Sequence, residues 1–398
     1  MSQNPFHRII KSYISEFHDA GCMTQKKKAP KTPAAPNAFD YAHKHPREIV
    51  WMSQNTNHIP VSDVIDKAIL KAVKNREYNL YPRSGGVFGL TDVIKKHVEL
   101  PEDYRVLLTN GGIEATYILN RALLKKGDEV ICTDPSFMPI HHQIAISGGK
   151  LVEIPVYKKP WKLSPDTIRK AITKKTSMIL LIDPLNPLGT AYTRPEIKEI
   201  CEIAEEHDLL IVDDVTYRDF SDPVPTYKYI PDRTITVYTF SKQCGLAGMR
   251  IGALAAPPDI MEKMLPYNTN VLSVNILAQR AALAAMECID SWLPALRKQL
   301  LTNQRIIKDS VDSVKGCFLP VYPSRTNMFA VDIGRTGVNP DHLQDTMLYD
   351  YGVFVRSGNY VSKTSGRNFV RVSFSVTQEG AERFASAFPK AIAKLRKK

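Results

Sequence analysis

The stretch TITVYTFSKQCGLAGMRIG, residues 234–252, joins a run of β-branched and aromatic residues to a loop of mostly small residues. The run predicts a buried β-strand, because such side chains pack well on a pleated sheet, and the glycines after it predict a loop. Lys242 follows this strand directly. A lysine at a crowded strand end serves as a surface residue, as an ion-pair partner, or in covalent chemistry with a carbonyl group. The stretch therefore predicts one strand of a sheet whose carboxyl end carries functional side chains.

Similar apolar runs precede this stretch at regular intervals and alternate with helical patterns. Strands separated by helices indicate an α/β domain with a mostly parallel central sheet flanked by helices. The runs are RVLLT (105–109), EVICTD (129–134), SMILLID (177–183) and LLIVDD (209–214), and GALAAP (252–257) predicts a further strand.

The two ends of the chain are organised differently. After about residue 290, a long helical pattern leads to FAVDI, GVFVR and FVRVSFS and then to a final helix from about Thr377, which indicates a smaller α+β domain. Apolar residues at helical spacing between Phe6 and Phe17 predict an amphipathic helix, followed by a Pro/Ala/Lys-rich link. The predicted divisions are an N-terminal arm (1–44), a large domain (61–289) and a small domain (45–60 and 290–398).

Ligands of open α/β sheets bind beyond the carboxyl ends of the strands, and the residues there form a consistent set. Gly112 opens a helix whose free N–H groups suit a phosphate, and Phe137 can cover a planar ring. Asn186 lies in a turn bounded by prolines, Asp214 closes a strand, and Tyr217 follows three residues later. Each of these residues also has an ordinary interpretation, as a turn residue, a core side chain or a helix cap.

The composition is that of a globular protein. The chain of 398 residues is 43% hydrophobic, no run approaches the roughly 18 apolar residues of a membrane span, and the N-terminus lacks the apolar core of a signal peptide. We therefore expect a cytoplasmic protein with no membrane partner. The six cysteines form no C-x-x-C pair, so neither a zinc site nor a disulfide framework is predicted. The net charge of +12 is dispersed and accompanies no nucleic-acid-binding motif, so we expect it to attract anionic substrates or cofactors rather than nucleic acid.

The motifs taken together resemble a known family. DPLNPLG, DDVTY, TFSK with an arginine eight residues after the lysine, and FVRVSFS occur in this order, and the resemblance extends over almost the whole chain after about residue 45. They resemble the class I/II, fold-type I aminotransferases that use pyridoxal 5'-phosphate (PLP), particularly the histidinol-phosphate and aspartate aminotransferase members. The resemblance implies a homodimeric enzyme of amino acid metabolism that moves an amino group between an amino acid and a 2-oxo acid.

The resemblance also implies roles for the strand-end residues. Lys242 would form the Schiff base with PLP and, once displaced by the substrate, move the proton between Cα and C4′. Asp214 would pair with the pyridinium nitrogen, which makes the ring an electron sink, and Tyr217 would act with Asn186 at the phenolic oxygen. The other implied cofactor residues are Phe137 at the ring face, Gly112, Ile113, Thr239 and Arg250 at the phosphate, and Tyr81 of YPRSGGVFGL, which would reach in from a second subunit.

Three residues are candidates for substrate binding. Arg371 in FVRVSFS resembles the family's arginine for the α-carboxylate, where a planar guanidinium binds both oxygens. Arg356 in GVFVRSGNY resembles the second arginine of histidinol-phosphate aminotransferases, which serves the acidic end of the substrate. A solvent-facing strand arginine is the other interpretation of Arg356. Asn57 is the third candidate.

Two other functions remain open at this point. A decarboxylase, lyase or oxidase on the same scaffold would use the same cofactor and would turn over without an added 2-oxo acid. A non-enzymatic binding protein, such as a nucleic-acid-associated regulator, is disfavoured by the presence of Lys242 and Asp214. No metal site is predicted.

Overall fold

The structure is a computed structural model that describes residues 37–397. Of the described residues, 37–46 belong to one unit and 47–397 to a second. The described part of the first unit contains one helix, α1 (Ala38–Lys44), which begins where the side chain of Asn37 accepts a hydrogen bond from the backbone N–H of Phe39. The amphipathic helix predicted near the N-terminus lies outside the described residues.

The described residues of the second unit contain twelve strands and eleven α-helices. The strands are β1 (Val50–Trp51), β2 (Arg105–Thr109), β3 (Glu129–Asp134), β4 (Lys150–Pro155), β5 (Thr176–Ile182), β6 (Leu210–Asp214), β7 (Thr234–Thr239), β8 (Gly252–Ala256), β9 (Met328–Asp332), β10 (Val353–Phe354), β11 (Arg356–Ser357) and β12 (Phe369–Ser373). The helices are α2 (Asp63–Lys74), α3 (Leu90–Val98), α4 (Gly112–Leu123), α5 (Met138–Ile146), α6 (Pro165–Ala171), α7 (Arg194–Glu206), α8 (Pro258–Met264), α9 (Ile276–Glu287), α10 (Ile289–Asp312), α11 (Pro340–Tyr351) and α12 (Gln378–Arg396).

A seven-stranded sheet forms the centre of this unit, with the strand order β2-β8-β7-β6-β5-β3-β4. The neighbours from β7 to β4 run parallel, and only β8 runs in the opposite direction, because it pairs antiparallel with both β2 and β7. All six predicted runs form strands of this sheet, and β4 is an additional strand at its edge. The predicted α/β fold with a mostly parallel sheet is therefore confirmed.

Both faces of the sheet are buried, as the strand sequences require. All six residues of β7 are buried. Tyr238 belongs to one hydrophobic cluster and its neighbour Val237 to a second, because successive side chains of a strand point to opposite faces. The first cluster includes residues of α3 and α9, and the second includes residues of α4 and α7. With both faces covered by helices, the carboxyl edge of the sheet is the place where polar side chains meet a cavity.

Two smaller sheets complete the unit. β11, β12 and β9 form an antiparallel sheet in which Arg356 and Arg371 are directly opposite each other. β1 pairs in parallel with β10. The antiparallel sheet, with α11 and α12, confirms the smaller α+β part of the predicted fold. The division into a large domain (61–289) and a small domain (45–60 and 290–398) stays a prediction.

Within residues 37–397, no helix has the length and apolar character that crossing a membrane requires. The expected cytoplasmic location stays a prediction.

Candidate active site

A cavity of about 190 Å³ lies at the carboxyl edge of the central sheet. Its lining includes the ends of β5, β6 and β7 and the first turns of α4. The predicted cofactor residues found in the lining are Gly112, Ile113, Phe137, Asn186, Asp214, Tyr217, Thr239, Lys242 and Arg250. The fold thus brings together nine residues that are separated by as many as 138 positions along the chain.

Lys242 lies in the wall of this cavity, in the loop that follows β7. Gly245, at φ 67°, turns the chain back so that its N–H donates to the carbonyl of Lys242 at 3.3 Å. The Lys242 Nζ lies 5.9 Å from the centre of the Tyr217 ring. Burial, together with the Arg371 cation, lowers the pKa of Lys242 to about 8, although the Asp214 carboxylate opposes this shift. A substantial fraction of this amine is therefore neutral near neutral pH, and the neutral form is the nucleophile.

Asp214 is the buried anion of the site. It closes β6, is 5% exposed, and its Oδ1 accepts a hydrogen bond from the N–H of Thr216 at 3.1 Å. Burial raises the pKa of Asp214 to about 6, while the hydrogen bonds from Thr216 act in the opposite direction. The side chain is therefore mostly ionised at pH 7, in surroundings where a charge acts strongly on a nearby cation.

The N-terminus of α4 forms the opposite end of the cavity. Gly111 precedes the helix at φ 80° and ψ 167°, a backbone conformation that strongly favours glycine. Arg250 donates from Nη1 to Ala247 O at 2.8 Å and from Nη2 to Asn110 O at 3.2 Å. Free helix N–H groups and a guanidinium thus lie side by side, and this arrangement favours an anion such as a phosphate.

Two hydroxyl residues that the sequence interpretation missed, Ser241 and Thr116, also line this end. Thr239 donates to Ser241 Oγ at 2.9 Å. Thr116 donates to Gln143 Oε1 at 2.7 Å, and Gln143 Nε2 donates in turn to Ile113 O at 2.9 Å. Thr116 follows Ile113 by three positions, so it lies on the same face of the helix, and this helical spacing is the signal that could have identified it.

The side chains of Tyr217 and Asn186 connect the cavity to more distant segments. Tyr217 OH accepts a hydrogen bond from Asn55 Nδ2 at 3.4 Å. Asn55 is 2% exposed and has a left-handed backbone with φ 55°. Asn186 Oδ1 accepts a hydrogen bond from Arg371 Nη1 at 3.3 Å. Asn55 was not predicted, and its place two residues before Asn57 in QNTNH was the available signal.

The two predicted substrate arginines are neighbours. Arg371 is 6% exposed and donates from Nη2 to the carbonyl of Ser53 at 2.6 Å, whereas its Nε has no hydrogen-bond partner within residues 37–397. Burial lowers the pKa of Arg371 to about 10, and the adjacent Arg356 cation contributes to the shift. The guanidinium carbon of Arg356 lies 3.6 Å from the centre of the Tyr360 ring. Burial also lowers the pKa of Arg356.

Four of the predicted residues, Asn57, Tyr81, Arg356 and Arg371, are absent from the cavity lining. The amide group of Asn57 donates to Ile59 O at 3.0 Å and to Gln243 O at 3.1 Å, so this side chain fastens backbone beside Lys242. Tyr81 is 84% exposed and lies in the wall of an open groove formed by residues 78–82 and 269–277.

The lining of the cavity fits PLP in its chemistry. Lys242 offers an amine to the aldehyde, and Asp214 offers a carboxylate to the ring nitrogen. Phe137 offers an aromatic face to the ring. The α4 N-terminus with Arg250 offers N–H donors and positive charge to the phosphate.

Comparisons with known proteins agree on one family. The family model described as aminotransferase class I and II matches residues 47–388. A histidinol-phosphate aminotransferase of Desulfotalea psychrophila is 30% identical over 87% of this chain and 88% of its own length. An aspartate aminotransferase of Pyrococcus abyssi is 29% identical over 74% of this chain and 78% of its own length.

Solved structures agree on the fold. The aromatic aminotransferase from Pyrococcus horikoshii superposes with a TM-score of 0.78 over 90% of this chain and 99% of the other, at 24% identity. A double mutant of the Thermus thermophilus aspartate aminotransferase gives a TM-score of 0.78 over 91% of this chain and 97% of the other, at 22% identity. Since the family model covers most of the chain, the protein belongs to the class I and II aminotransferases and is a PLP-dependent aminotransferase.

Proposed function

We propose that this aminotransferase holds PLP through Lys242 and transfers amino groups between 2-oxo acids and amino acids with an acidic distal group. The observation that carries the proposal is the position of the Lys242 amine, whose pKa is lowered to about 8, in one cavity with the buried Asp214 carboxylate. An amine, a carboxylate and an aromatic ring line one cavity of about 190 Å³, and these are the groups that PLP chemistry requires.

When bound, PLP supplies an electron-withdrawing ring that accepts the electron pair left on the substrate Cα when its proton departs. Asp214 keeps the ring nitrogen protonated, because an ionised carboxylate with little exposure to water stabilises a neighbouring cation. Phe137 covers one face of the ring, and Tyr217 with Asn186 donate hydrogen bonds at the phenolic oxygen. Their own contacts, from Asn55 to Tyr217 and from Arg371 to Asn186, fix the orientation of these side chains.

The phosphate is held at the N-terminus of α4. The N–H groups of Gly112 and Ile113, the Thr239 hydroxyl and the Arg250 guanidinium are its ligands in this proposal, and all four residues line the cavity. The side chain of Ile113 offers no hydrogen bond. The hydroxyl of Thr116, one helical turn further on, also faces this cavity.

Lys242 also moves the proton. A base works best when its pKa lies near the working pH, and burial brings the Lys242 amine from 10.5 to about 8. With cofactor and substrate bound, the Lys242 amine would take the proton from the substrate Cα and would return it to the cofactor.

Arg371 binds the α-carboxylate of the substrate. Its guanidinium is almost fully buried, both of its hydrogen-bond acceptors, Asn186 Oδ1 and Ser53 O, are neutral, and its Nε has no partner within residues 37–397. A buried cation with a donor to spare binds a carboxylate with little further desolvation.

Arg356 selects the distal group. It is the cross-strand neighbour of Arg371, and its guanidinium lies against the Tyr360 ring, which supports a role at the other end of a substrate held by Arg371. An acidic or phosphorylated distal group adds a negative charge beside this second cation, on which the Asp341 carboxylate already acts. Relatives named aspartate aminotransferase and histidinol-phosphate aminotransferase are consistent with such substrates.

We also propose a homodimer with composite sites. Leu80, Tyr81 and Phe88 are 74%, 84% and 77% exposed, and Val271 in the same groove as Tyr81 is 66% exposed. Apolar side chains exposed to this extent mark a surface for a protein partner. In a two-fold dimer, Tyr81 reaches the phosphate end of the neighbouring cavity, where Arg250 is also exposed in the single chain.

The test of the proposal is chemical trapping followed by a single half-reaction. Protein loaded with PLP is reduced with borohydride and digested, and the cofactor adduct is expected on the peptide that contains Lys242. Unreduced protein mixed with an acidic amino acid, without any 2-oxo acid, is expected to release one equivalent of the 2-oxo acid and to retain pyridoxamine phosphate. An adduct on another lysine contradicts the site, and turnover that needs no 2-oxo acid contradicts amino-group transfer.

A further inference from the structure

A chain of side-chain hydrogen bonds connects the protein surface to the loop that carries Lys242. The His97 Nε2 lies 2.6 Å from Asp219 Oδ1. The Tyr238 hydroxyl donates to Asp219 Oδ2 at 3.1 Å, and Gln243 Nε2 donates to the Tyr238 oxygen at 2.7 Å. The chain therefore runs from His97, whose side chain is 18% exposed, to the residue directly after Lys242.

The inner members of this chain are almost completely removed from water. Asp219 is 3% exposed, Tyr238 is 2% exposed and Gln243 is 0% exposed. Burial and the nearby carboxylate hold the pKa of Tyr238 well above its ordinary value. The phenol therefore stays protonated and donates a hydrogen bond to Asp219. In such surroundings each of these hydrogen bonds is costly to break, because the partner left behind stays buried.

The chain also contacts both segments that carry the reacting side chains. Asp219 follows Tyr217 by two residues, and its carbonyl accepts a hydrogen bond from Arg297 Nε at 2.8 Å. Gln243 follows Lys242, and its carbonyl accepts a hydrogen bond from Asn57 Nδ2 at 3.1 Å. Both backbone segments are thus held from two sides, on one side by the buried chain and on the other by a side chain from a distant part of the sequence.

A role in stability alone explains the polar residue Gln243 in this chain of hydrogen bonds poorly. Gln243 Nε2 donates to the Tyr238 oxygen at 2.7 Å and to Thr239 O at 3.3 Å, but Oε1 is buried without a hydrogen-bond partner within residues 37–397. An unpaired buried acceptor costs free energy, yet the fold keeps this polar residue directly beside Lys242. Such a residue is expected where orientation matters more than stability.

We propose that Asp219, Tyr238 and Gln243 are positioning residues that hold the Lys242 amine in the orientation needed for proton transfer. The inference rests on the proposed function of Lys242. Asn57, predicted as a substrate residue, belongs to the same set, since both of its amide donors are used to fasten the backbone next to the lysine. A shift of about 1 Å in a reacting group is enough to slow a reaction by roughly a hundredfold, so a loosened loop affects catalysis without any loss of substrate contacts.

The experiment compares two buried tyrosines that each lose one hydroxyl. Tyr238→Phe removes the middle of the chain. Tyr104→Phe is the matched control, because Tyr104 is 0% exposed and its hydroxyl bonds Pro231 O at 2.7 Å and Thr234 O at 3.1 Å, away from the cavity. Both variants are loaded with PLP and assayed with an acidic amino acid carrying hydrogen or deuterium at Cα.

For Tyr238→Phe we expect kcat to fall by about tenfold with KM within about twofold of the original, together with a larger deuterium isotope effect. The pH midpoint of the cofactor absorbance is also expected to move, because it reports on the Lys242 linkage and not on turnover. Tyr104→Phe should leave the isotope effect and the absorbance midpoint unchanged while losing a similar amount of thermal stability. Equal behaviour of the two variants in these readouts overturns the inference.

If Tyr238→Phe does not fold, His97→Ala supplies the test, since His97 is partly exposed and lies at the outer end of the chain. A higher isotope effect and a moved absorbance midpoint in His97→Ala support the inference, and unchanged values overturn it. An unmodified protein that does not transfer amino groups overturns the proposed function and this inference together. An unmodified protein that does so, with variants equal to the control, overturns this inference alone.

Discussion

The acidity of the Lys242 amine provides a direct test of the electrostatics of the site. Its pKa is lowered from 10.5 to about 8, first by burial and then by the Arg371 cation. At pH 7 a lysine with a pKa of 8 is neutral in roughly one molecule in ten, whereas a lysine in water is neutral in about one in 3,000. The surroundings therefore raise the concentration of reactive amine by about 300-fold, without any base to remove the proton.

Arg371→Met removes one of the two leading causes and leaves the burial. Removing a cation at an effective dielectric constant of about 20 is worth on the order of 1–2 kcal/mol, so the pKa of Lys242 should rise by roughly one unit and remain below 10.5. Arg356→Met is the matched control, since Arg356 lies directly opposite Arg371 but is not among the charges that act on Lys242.

Competitive acetylation of the cofactor-free protein over a range of pH measures this quantity. The peptide containing Lys242 is quantified by mass spectrometry, and its reactivity should rise with pH through a midpoint near 8, because only the neutral amine reacts. The midpoint should move upward in Arg371→Met and stay in place in Arg356→Met. A midpoint near 10.5 in the unmodified protein, or equal movement in both variants, refutes the reasoning.

Three further predictions concern the cofactor, the substrate and the assembly. Asp214→Asn keeps the acceptor for the Thr216 N–H but removes a buried charge worth about 3–5 kcal/mol. Turnover should therefore fall by at least a hundredfold while the circular dichroism spectrum stays unchanged. Near-normal activity would contradict the pairing of Asp214 with the ring nitrogen. Arg356→Ala should lower kcat/KM for acidic or phosphorylated amino acids by an amount equivalent to about 2–4 kcal/mol of transition-state stabilisation, and should leave kcat/KM for neutral amino acids within a few-fold of the original. An equal loss for all substrates would return Arg356 to a structural role. Sedimentation should give a dimer whose cofactor affinity drops in Tyr81→Ala, and a fully active monomer on dilution would exclude a shared site.

The central sheet was predictable because its strands carry their own signal. Runs such as SMILLID are long, apolar and buried on both faces, so burial and the sequence pattern agree. Asp214 and Lys242 could also be located, because each stands at the end of such a run and the carboxyl ends of parallel strands meet at one edge. Strand β4 was missed because it lies at the sheet edge, where four of its six residues are only half-buried and the apolar pattern is weak.

Pairing between distant segments was beyond the sequence. GVFVR was interpreted as one strand, but β10 pairs with β1 and β11 pairs with β12, so the run divides at Val355 between two sheets. Asn55 contacts Tyr217 across 162 positions and Arg371 contacts Asn186 across 185, and neither contact has a local pattern in the sequence. Such contacts depend on the tertiary fold, because the residues next to each partner in the sequence do not indicate the contact.

Repulsion between the opposed arginines is expected to determine which substrates bind. Arg356 and Arg371 face each other across two antiparallel strands, and like charges at opposed positions destabilise a sheet. Burial increases that cost, because it removes the water that would screen the two cations. Burial lowers the pKa of both guanidinium groups, and the Arg356 cation adds to the shift of Arg371. The acceptors available to Arg371, Asn186 Oδ1 and Ser53 O, are neutral and leave this repulsion in place. A substrate with one negative group for each guanidinium offsets this repulsion more fully than a substrate with a single carboxylate, because it adds to the Asp341 carboxylate that already acts on Arg356. The preference for amino acids with an acidic distal group is therefore expected to arise mainly from relief of this repulsion, and should weaken as salt screens the exposed edge of Arg356.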